Sequence, residues 1–187
     1  MSKRILILNG SPRPKGNTSA LVSEFVRGAE EVGCEVKIFQ LDKMNIHGCK
    51  GCFSGGKNPE SPCVQKDDMD KIYPVYCEAD VVVLATPLYY WTFSGQLKIA
   101  FDRLFAVAEC DKNYRNPIKK SVLLMAAEGY GFDDALNYYQ NLMKHLGWTE
   151  IGHVLAGGVM KVGDIKDTPK LQEAYELGKS VAKGNAL

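Results

Sequence analysis

The first recognisable element of the chain is the run Arg4-Ile5-Leu6-Ile7-Leu8-Asn9, which ends in Gly10-Ser11-Pro12. A continuous aliphatic run that stops at turn-forming residues is typical of a strand buried on both faces of a parallel sheet. Residues 18–32 follow it and predict a helix, because Leu21, Phe25 and Ala29 recur at helical spacing. A buried strand followed at once by an amphipathic helix indicates the first unit of an α/β fold.

The same alternation of strand and helix continues along the chain. Further strands are expected at residues 34–41, 80–85, 121–126 and 151–156, and further helices at 67–78, 94–105, 132–146 and from 168 onward. Five strands with intervening helices predict a doubly wound five-stranded parallel sheet with right-handed crossovers, in the order 2-1-3-4-5. We expect one domain over residues 1–187, with an insertion loop at about residues 42–66.

Single residues refine three of these helices. Ser94 is expected to cap the helix after the third strand, and Gly147 is expected to end the 132–146 helix in a left-handed conformation. Pro74 falls inside the 67–78 segment, where a proline removes a backbone hydrogen bond at a cost of about 3 kcal/mol. We therefore expect a bend or break near residues 70–73.

Composition excludes several classes of function. The 187 residues carry 23 Lys and Arg against 22 Asp and Glu, so the net charge is +1. A nearly neutral chain argues against nucleic-acid binding and against a strongly acidic electron carrier. No apolar run approaches the roughly 18–20 residues of a membrane span, and the aliphatic run after Arg4 is too short for a signal peptide. We expect a cytoplasmic protein with no membrane or nucleic-acid partner.

The loop from Gly10 to Ser19 connects the first strand to the first helix and is rich in hydroxyl groups and small residues. In open parallel sheets such a loop lies at the ligand-binding edge, and the free amides of a helix N-terminus favour an anion. The patterns G-x-G-x-x-G and Gly-Lys-Ser/Thr are both absent from this loop, which leaves a cradle for a monophosphate. The simpler alternative is that these residues only cap the helix. The candidate phosphate-binding residues are Ser11, Arg13, Gly16, Asn17, Thr18 and Ser19.

Three motifs together resemble one known family. They are Gly10-Ser11-Pro12-Arg13 with Gly16-Asn17-Thr18-Ser19, then Thr86-Pro87-Leu88-Tyr89-Tyr90-Trp91 with Ser94-Gly95-Gln96-Leu97-Lys98, and Asp67-Asp68-Met69. They are similar to those of the NADPH-dependent FMN reductase and iron–sulfur flavoprotein group of the flavodoxin-like superfamily. The resemblance implies a flavodoxin-like fold, bound FMN, and a flavin ring flanked by the loop after the third strand. The residues implied there are Pro87, Leu88, Tyr89, Tyr90 and Trp91.

The loops after the third and fourth strands each allow two interpretations. The aromatic residues 89–93 could instead be core or subunit-contact residues, although four aromatics within five loop positions are too many to be all core. The loop after the fourth strand contains small residues that permit a flat ligand to approach the backbone. Its candidate residues are Ala127, Glu128 and Gly129, of which Glu128 binds a ribityl hydroxyl or is merely a solvated acid.

Three of the six cysteines, Cys49, Cys52 and Cys63, lie in the insertion loop with His47 nearby. A C-x2-C pair with a third cysteine invites a zinc or iron–sulfur interpretation. However, Ser54, Gly55 and Gly56 stand where the resemblance leads one to expect another cysteine, and ten residues separate Cys52 from Cys63. We therefore predict that these cysteines bind no metal or cluster.

These observations favour an FMN-dependent oxidoreductase that takes hydride from NADPH or NADH and passes electrons to a small-molecule acceptor. The acceptor could be a quinone, a nitro or azo compound, free flavin or a metal ion. Since the flavin carries the chemistry, we assign no catalytic side chain. The alternatives are an electron-transfer flavoprotein reduced by ferredoxin and a flavin-binding regulatory protein of low turnover. Residues 45–65 and 91–93 are apolar enough to predict a homodimer or homotetramer.

Overall fold

In the computed structural model, which describes residues 2–183, five parallel strands form one sheet. The strands are β1 (Arg4–Asn9), β2 (Glu35–Gln40), β3 (Val81–Pro87), β4 (Lys120–Ala126) and β5 (Thr149–Ala156), and their spatial order is β2-β1-β3-β4-β5. The helices are α1 (Asn17–Glu31), α2 (Met69–Glu78), α3 (Gly95–Arg103), α4 (Phe105–Ala108), α5 (Asp133–Leu146) and α6 (Lys170–Ser180). The predicted topology is confirmed.

The central strands are buried on both faces, as their continuous aliphatic runs predict. Ile5 in β1 pairs with Val36 in β2 and with Val81 in β3, which fixes the register of the three strands. Alternate side chains enter two separate cores. Leu6 and Val82 join α2, α3 and α5 in one core, whereas Ile5 and Val81 join α1 and α6 in the other. Helices therefore cover both faces of the sheet, as expected for a doubly wound fold.

Helices α1 and α6 pack with their backbones in close contact. A Cβ atom added to Gly28 in α1 would overlap the carbonyl oxygen of Tyr175, and one added to Gly178 in α6 would overlap the carbonyl oxygen of Phe25. Only glycine permits this approach, because any side chain would separate the two helix backbones. The glycine pair thereby sets how α1 lies on the sheet, and with it the position of the helix N-terminus.

The structure confirms two predicted helix ends and corrects one prediction. Ser94 Oγ accepts a hydrogen bond from Leu97 N at 3.3 Å, and Gly147 ends α5 at φ 67°. The sequence predicts a bend or a break near residues 70–73, but helix α2 runs without interruption through Pro74, so a break there is wrong. The reason is packing: Ile72 and Tyr73 are fully buried, and this burial outweighs the one hydrogen bond that the proline removes.

The insertion loop is irregular in the structure. A single 3-10 turn covers Leu41–Lys43, and residues 44–68 contain no helix or strand. Within residues 2–183, none of the helices combines the length and the apolar character needed to cross a membrane.

Candidate functional site

The loop after β1 is tied to the start of α3. Gly10 N donates to the carbonyl of Ala85 at 2.8 Å, and Ser94 Oγ donates to the carbonyl of Gly10 at 2.8 Å. A Cβ atom at Gly10 would come within 2.6 Å of Ser94 Oγ and 2.7 Å of Leu97 Cβ. The glycine thus allows the first loop and the N-terminus of α3 to meet at the carboxyl edge of the sheet.

The N-terminus of α1 presents donors without partners. Its N-cap residue Gly16 provides no side-chain hydrogen bond, and the amides of Asn17, Thr18 and Ser19 donate to no other residue between 2 and 183. The first N–H groups of a helix lack intrahelical acceptors, and the helix dipole makes this end electropositive. The exposed guanidinium of Arg13 lies at the same edge and adds positive charge. This end of α1 is therefore suited to a phosphate or another small anion.

Two of the predicted hydroxyl ligands instead shape the loop. Ser11 Oγ accepts from Arg13 N at 3.2 Å, and Ser19 Oγ donates to the carbonyl of Arg13 at 3.0 Å. The side chain of Asn9 joins them: its Nδ2 donates to Ser19 Oγ, and its Oδ1 accepts from Ser11 N. The hydroxyl of Thr18 has no such bond in the described chain, so Thr18 is the side chain best placed to meet an anion beside the amides.

Asn17 joins the first loop to the loop after β5. Its Nδ2 donates to the carbonyls of Val159 and Lys161, at 3.1 and 2.9 Å, and its Oδ1 accepts from Gly163 N at 3.1 Å. All three hydrogen bonds of this buried side chain go to the loop after β5. The Asn17 side chain therefore acts on the site by holding the later loop against the start of α1.

The loops enclose a cleft of about 290 Å³ at the carboxyl ends of the strands, which we call the strand-end cleft. It is lined by Ser11, Arg13, Gly16, Asn17, Thr18, Pro87, Leu88, Tyr89, Ala126, Ala127, Glu128, Val159 and Met160. A second recess shares three of these residues and adds the predicted residues Tyr90, Trp91 and Gly129. It is lined by Leu88, Tyr90, Trp91, Ala127, Glu128, Gly129 and Gly131. Of the predicted site residues, Ser19 alone lines neither.

Residues 89–92 form a tight turn that projects aromatic side chains at the rim of the cleft. Tyr89 and Thr92 exchange both backbone hydrogen bonds, at 3.0 and 3.1 Å, and Tyr90 and Trp91 have φ angles of 45° and 58°. Bulky residues adopt this left-handed conformation at a cost of about 1–3 kcal/mol each. Tyr90 is 92% exposed, whereas Phe93 is buried against Tyr138. Phe93 is thus the core residue among the four aromatics, and the strained pair faces outward.

The structure adds two lining residues that the sequence did not indicate, Val159 and Met160 in the loop after β5. Val159 N donates to the carbonyl of Ala127 at 2.9 Å, which joins this loop to the one after β4. Neither residue has a side chain typical of ligand binding. Only the topology could have indicated these residues, because β5 is expected to end at the same edge of the sheet as the other strands.

The cysteines of the insertion loop do not assemble a metal site. Cys49 and Cys52 are exposed and Cys63 is half-buried. Over residues 2–183, no three His, Cys, Asp or Glu side chains form a group that could hold a metal ion. The donor set of an iron–sulfur cluster, usually four thiolates, therefore does not fit these residues.

The chain is similar to several known proteins. The sequence model of the NADPH-dependent FMN reductase family matches residues 3–161. The chain is 30% identical to an iron–sulfur flavoprotein of Methanocaldococcus jannaschii, with 96% of each chain covered. It is 29% identical to an iron–sulfur flavoprotein of Archaeoglobus fulgidus, over 93% of this chain and 76% of the relative.

Solved structures share the fold at lower identity. An NAD(P)H:quinone oxidoreductase from Methanothermobacter marburgensis superposes with a TM-score of 0.75 at 20% identity, covering 97% of this chain and 98% of the other. An FMN-dependent NADH-azoreductase from Bacillus anthracis, solved in complex with FMN, has a TM-score of 0.69 at 16% identity and covers 99% and 100%. The fold, the amide-rich first loop and the match over residues 3–161 agree, and the chain belongs to the NADPH-dependent FMN reductase family.

Proposed function

We propose that the strand-end cleft binds FMN, with the phosphate at the N-terminus of α1. The observation that carries this proposal is the set of unpartnered amides of Asn17, Thr18 and Ser19 at one end of the cleft. A phosphate has enough acceptor oxygens for all three amides and for the Thr18 hydroxyl. Arg13 provides an opposite charge at the mouth.

The wider part of the site suits the ring system of the same cofactor. Leu88, Ala127 and Glu128 line both recesses, so the phosphate end and the aromatic turn belong to one continuous surface. The amides of Tyr90 and Trp91 have no acceptor in the described part of the chain and lie in a rigid turn. Fixed amide donors beside a flavin's pyrimidine edge stabilise its anionic reduced form. Exposed Glu128 is available to a ribityl hydroxyl.

The activity that we propose is oxidation of NADPH or NADH with reduction of a small-molecule acceptor such as a quinone or an azo compound. Bound FMN supplies the hydride chemistry. The chain binds and orients the cofactor through the first loop, and it leaves the ring approachable through the open side of the cleft, where Tyr90 and Trp91 are exposed. The family description and the quinone- and azo-reducing proteins of the same fold support this proposal.

The exposed aromatic turn also supports a proposal about assembly. Tyr90, Trp91 and Tyr130 are large and exposed, and exposed aromatic residues commonly pair subunits. We propose a cytoplasmic homodimer or homotetramer in which these residues are partly covered. Sedimentation analysis of the FMN-loaded protein tests it, and a monomer at micromolar concentration contradicts it.

Cofactor binding is tested by titrating the apoprotein with FMN and with riboflavin, which lacks the phosphate. We expect FMN to bind at least about a hundredfold more tightly, which corresponds to about 2.7 kcal/mol. Equal affinities would show that the amides of α1 hold no phosphate. Anaerobic stopped-flow mixing with NADPH and NADH then tests the activity: bleaching of the flavin absorbance supports it, and no bleaching with either nucleotide contradicts it.

A further inference from the structure

Ser94 lies between the two parts of the site, the first loop and the aromatic turn (residues 89–92). Its side chain is fully buried, and its Oγ accepts from Leu97 N at 3.3 Å, as a helix cap requires. The same Oγ donates to the carbonyl of Gly10 at 2.8 Å, although Gly10 is 84 residues away in the sequence. Capping does not need this second bond, which fastens the first loop to the start of α3.

The backbone of Ser94 also closes the segment that carries the aromatic turn. Ser94 N donates to Thr86 Oγ1 at 2.9 Å, and Thr86 Oγ1 donates to the carbonyl of Pro87 at 2.7 Å. Thr86 is fully buried, and hydrogen bonds are stronger where the local dielectric constant is low. A continuous hydrogen-bonded path therefore runs from Gly10 through Ser94 and Thr86 to Pro87, which lines the strand-end cleft.

The other end of this path reaches the N-terminus of α1. Gly10 precedes Ser11, whose Oγ accepts from Arg13 N at 3.2 Å. The carbonyl of Arg13 accepts from Gly16 N at 2.9 Å and from Ser19 Oγ at 3.0 Å. Gly16 is the N-cap of α1, so a shift of Gly10 is transmitted through the first loop to the amides that face the cleft.

The aromatic turn is the element that the path restrains. Tyr90 and Trp91 have φ angles of 45° and 58°, which bulky residues keep only where the surrounding structure holds them. Both side chains are largely exposed, so burial does not hold the turn in this conformation. The bonds at its two ends, at Thr86 and Ser94, restrain it instead. A weaker hold at Ser94 would allow the turn to relax.

We propose that Ser94 is a positioning residue that couples the two parts of the site, so that an anion at the amides of α1 increases the affinity of the aromatic turn for a flavin ring. The anion fixes the first loop, and Ser94 passes this restraint to the strained turn. Coupling between two binding sites is reciprocal, so the ring increases the affinity for the anion by the same factor. This inference rests on the proposed function, because it assumes that the cleft receives the phosphate and the ring of FMN.

The test divides the cofactor into riboflavin and inorganic phosphate. Riboflavin is titrated into the full-length apoprotein in phosphate buffer and in chloride buffer of equal ionic strength, and binding is followed by the quenching of riboflavin fluorescence. The amide NMR resonances of Asn17, Thr18 and Ser19 report separately whether phosphate is bound. We expect phosphate to tighten riboflavin binding about tenfold, which is within the range of coupled sites.

Variants locate the coupling. Ser94→Ala removes the bond to Gly10 and should reduce the phosphate effect to about twofold or less, whereas Ser94→Thr keeps a hydroxyl group and should retain the effect. Thr86→Val removes the acceptor of Ser94 N and is a second, independent way to break the path. The matched control is Ser121→Ala, because Ser121 is also fully buried and its Oγ accepts from Tyr139 OH at 3.0 Å, near the end of β4 that is remote from the cleft. It should leave the phosphate effect unchanged.

The readout is the ratio of the riboflavin affinities in the two buffers, which a purely structural role of Ser94 would not change. Amide resonances that shift with phosphate while riboflavin affinity stays the same would overturn the coupling and leave phosphate binding intact. Amide resonances that ignore phosphate would contradict the proposed function, and this inference with it. A full phosphate effect in both Ser94→Ala and Thr86→Val would show that the two ligands act on each other directly, which also overturns the proposal.

Discussion

Arg103 and Asp67 form a bidentate ion pair in which each side chain is 1% exposed, with Nη1 to Oδ2 at 2.7 Å and Nη2 to Oδ1 at 3.2 Å. Burial would raise the pKa of the Asp67 carboxyl, but hydrogen bonds from Arg103 and from the amides of His47 and Met69 outweigh it and hold the pKa below its ordinary value of 3.8. The pair anchors the insertion loop, because the same guanidinium holds the carbonyls of His47 and Gln65.

The protein should therefore lose stability at acid pH through Asp67. A carboxyl with a lowered pKa in the folded state contributes stability above its unfolded pKa and loses it as the pH falls through the folded value. We expect the loss to begin near pH 4 and to continue below it. Urea unfolding from pH 7 to pH 3 measures this dependence.

Asp67→Asn is expected to lower the free energy of unfolding at pH 7 by about 3–5 kcal/mol, because it leaves the buried guanidinium uncompensated. It should also flatten the acid dependence. Asp167→Asn, at an exposed position with no hydrogen bond or ion pair in the described chain, is the control and should change neither. If Asp67→Asn keeps the full acid dependence of the free energy of unfolding, other carboxyl groups are responsible for that dependence.

Asn17→Ala is expected to weaken FMN binding without removing any amide of the anion cradle. The variant loses three hydrogen bonds to residues 159–163, so the loop after β5 no longer closes the cleft. We expect a decrease in FMN affinity of about tenfold or more and a loss of about 1–3 kcal/mol in stability. Calorimetric titration measures the first, and Asn137→Ala, at an exposed position in α5, is the control.

Gly28→Ala should destabilise the protein by about 1–3 kcal/mol or more, since the new methyl group overlaps the backbone of α6 at Tyr175. The matched substitution is Gly95→Ala, because an added Cβ there meets nothing within 4 Å. Thermal and urea unfolding should show the first variant destabilised and the second near wild type. Equal stabilities would indicate that the two helices separate without cost.

Tyr90→Asn is expected to stabilise the protein while impairing turnover. Asparagine tolerates the left-handed conformation that Tyr90 adopts at φ 45°, so part of the backbone cost of about 1 kcal/mol is removed. The exposed ring at the cleft is lost at the same time, and the KM for an aromatic acceptor should rise. Tyr114→Asn relieves the same strain at φ 55° away from the cleft and should leave that KM unchanged.

The sequence was sufficient for the parts of the fold that rest on local pattern. The aliphatic runs at Ile5 and Val81 identify the buried central strands, and the first loop is recognisable from its composition and from its place before α1. The cap residues Ser94 and Gly147 were predictable because each makes its interaction within a few residues along the chain.

The remaining features depend on contacts that no local pattern encodes. Met160 lines the cleft because the loop after β5 lies there, not because of its side-chain type. The role of Asn17 requires partners more than 140 residues away. No break occurs at Pro74, because the burial that holds α2 together is a tertiary effect. The sequence did not indicate the cavity of about 330 Å³ between the insertion loop and α4, because an irregular segment packs there through contacts such as that of Gly55 with Glu109.

The attachment of Asn17 to Val159 and Lys161 has a consequence for biosynthesis. A nascent polypeptide that has emerged only as far as α5 already contains the first loop, yet the backbone carbonyls that immobilise Asn17 have still to leave the ribosome. The cleft is consequently completed only after residue 161 has emerged, so a polypeptide released only as far as α5 has the first loop but not the finished pocket.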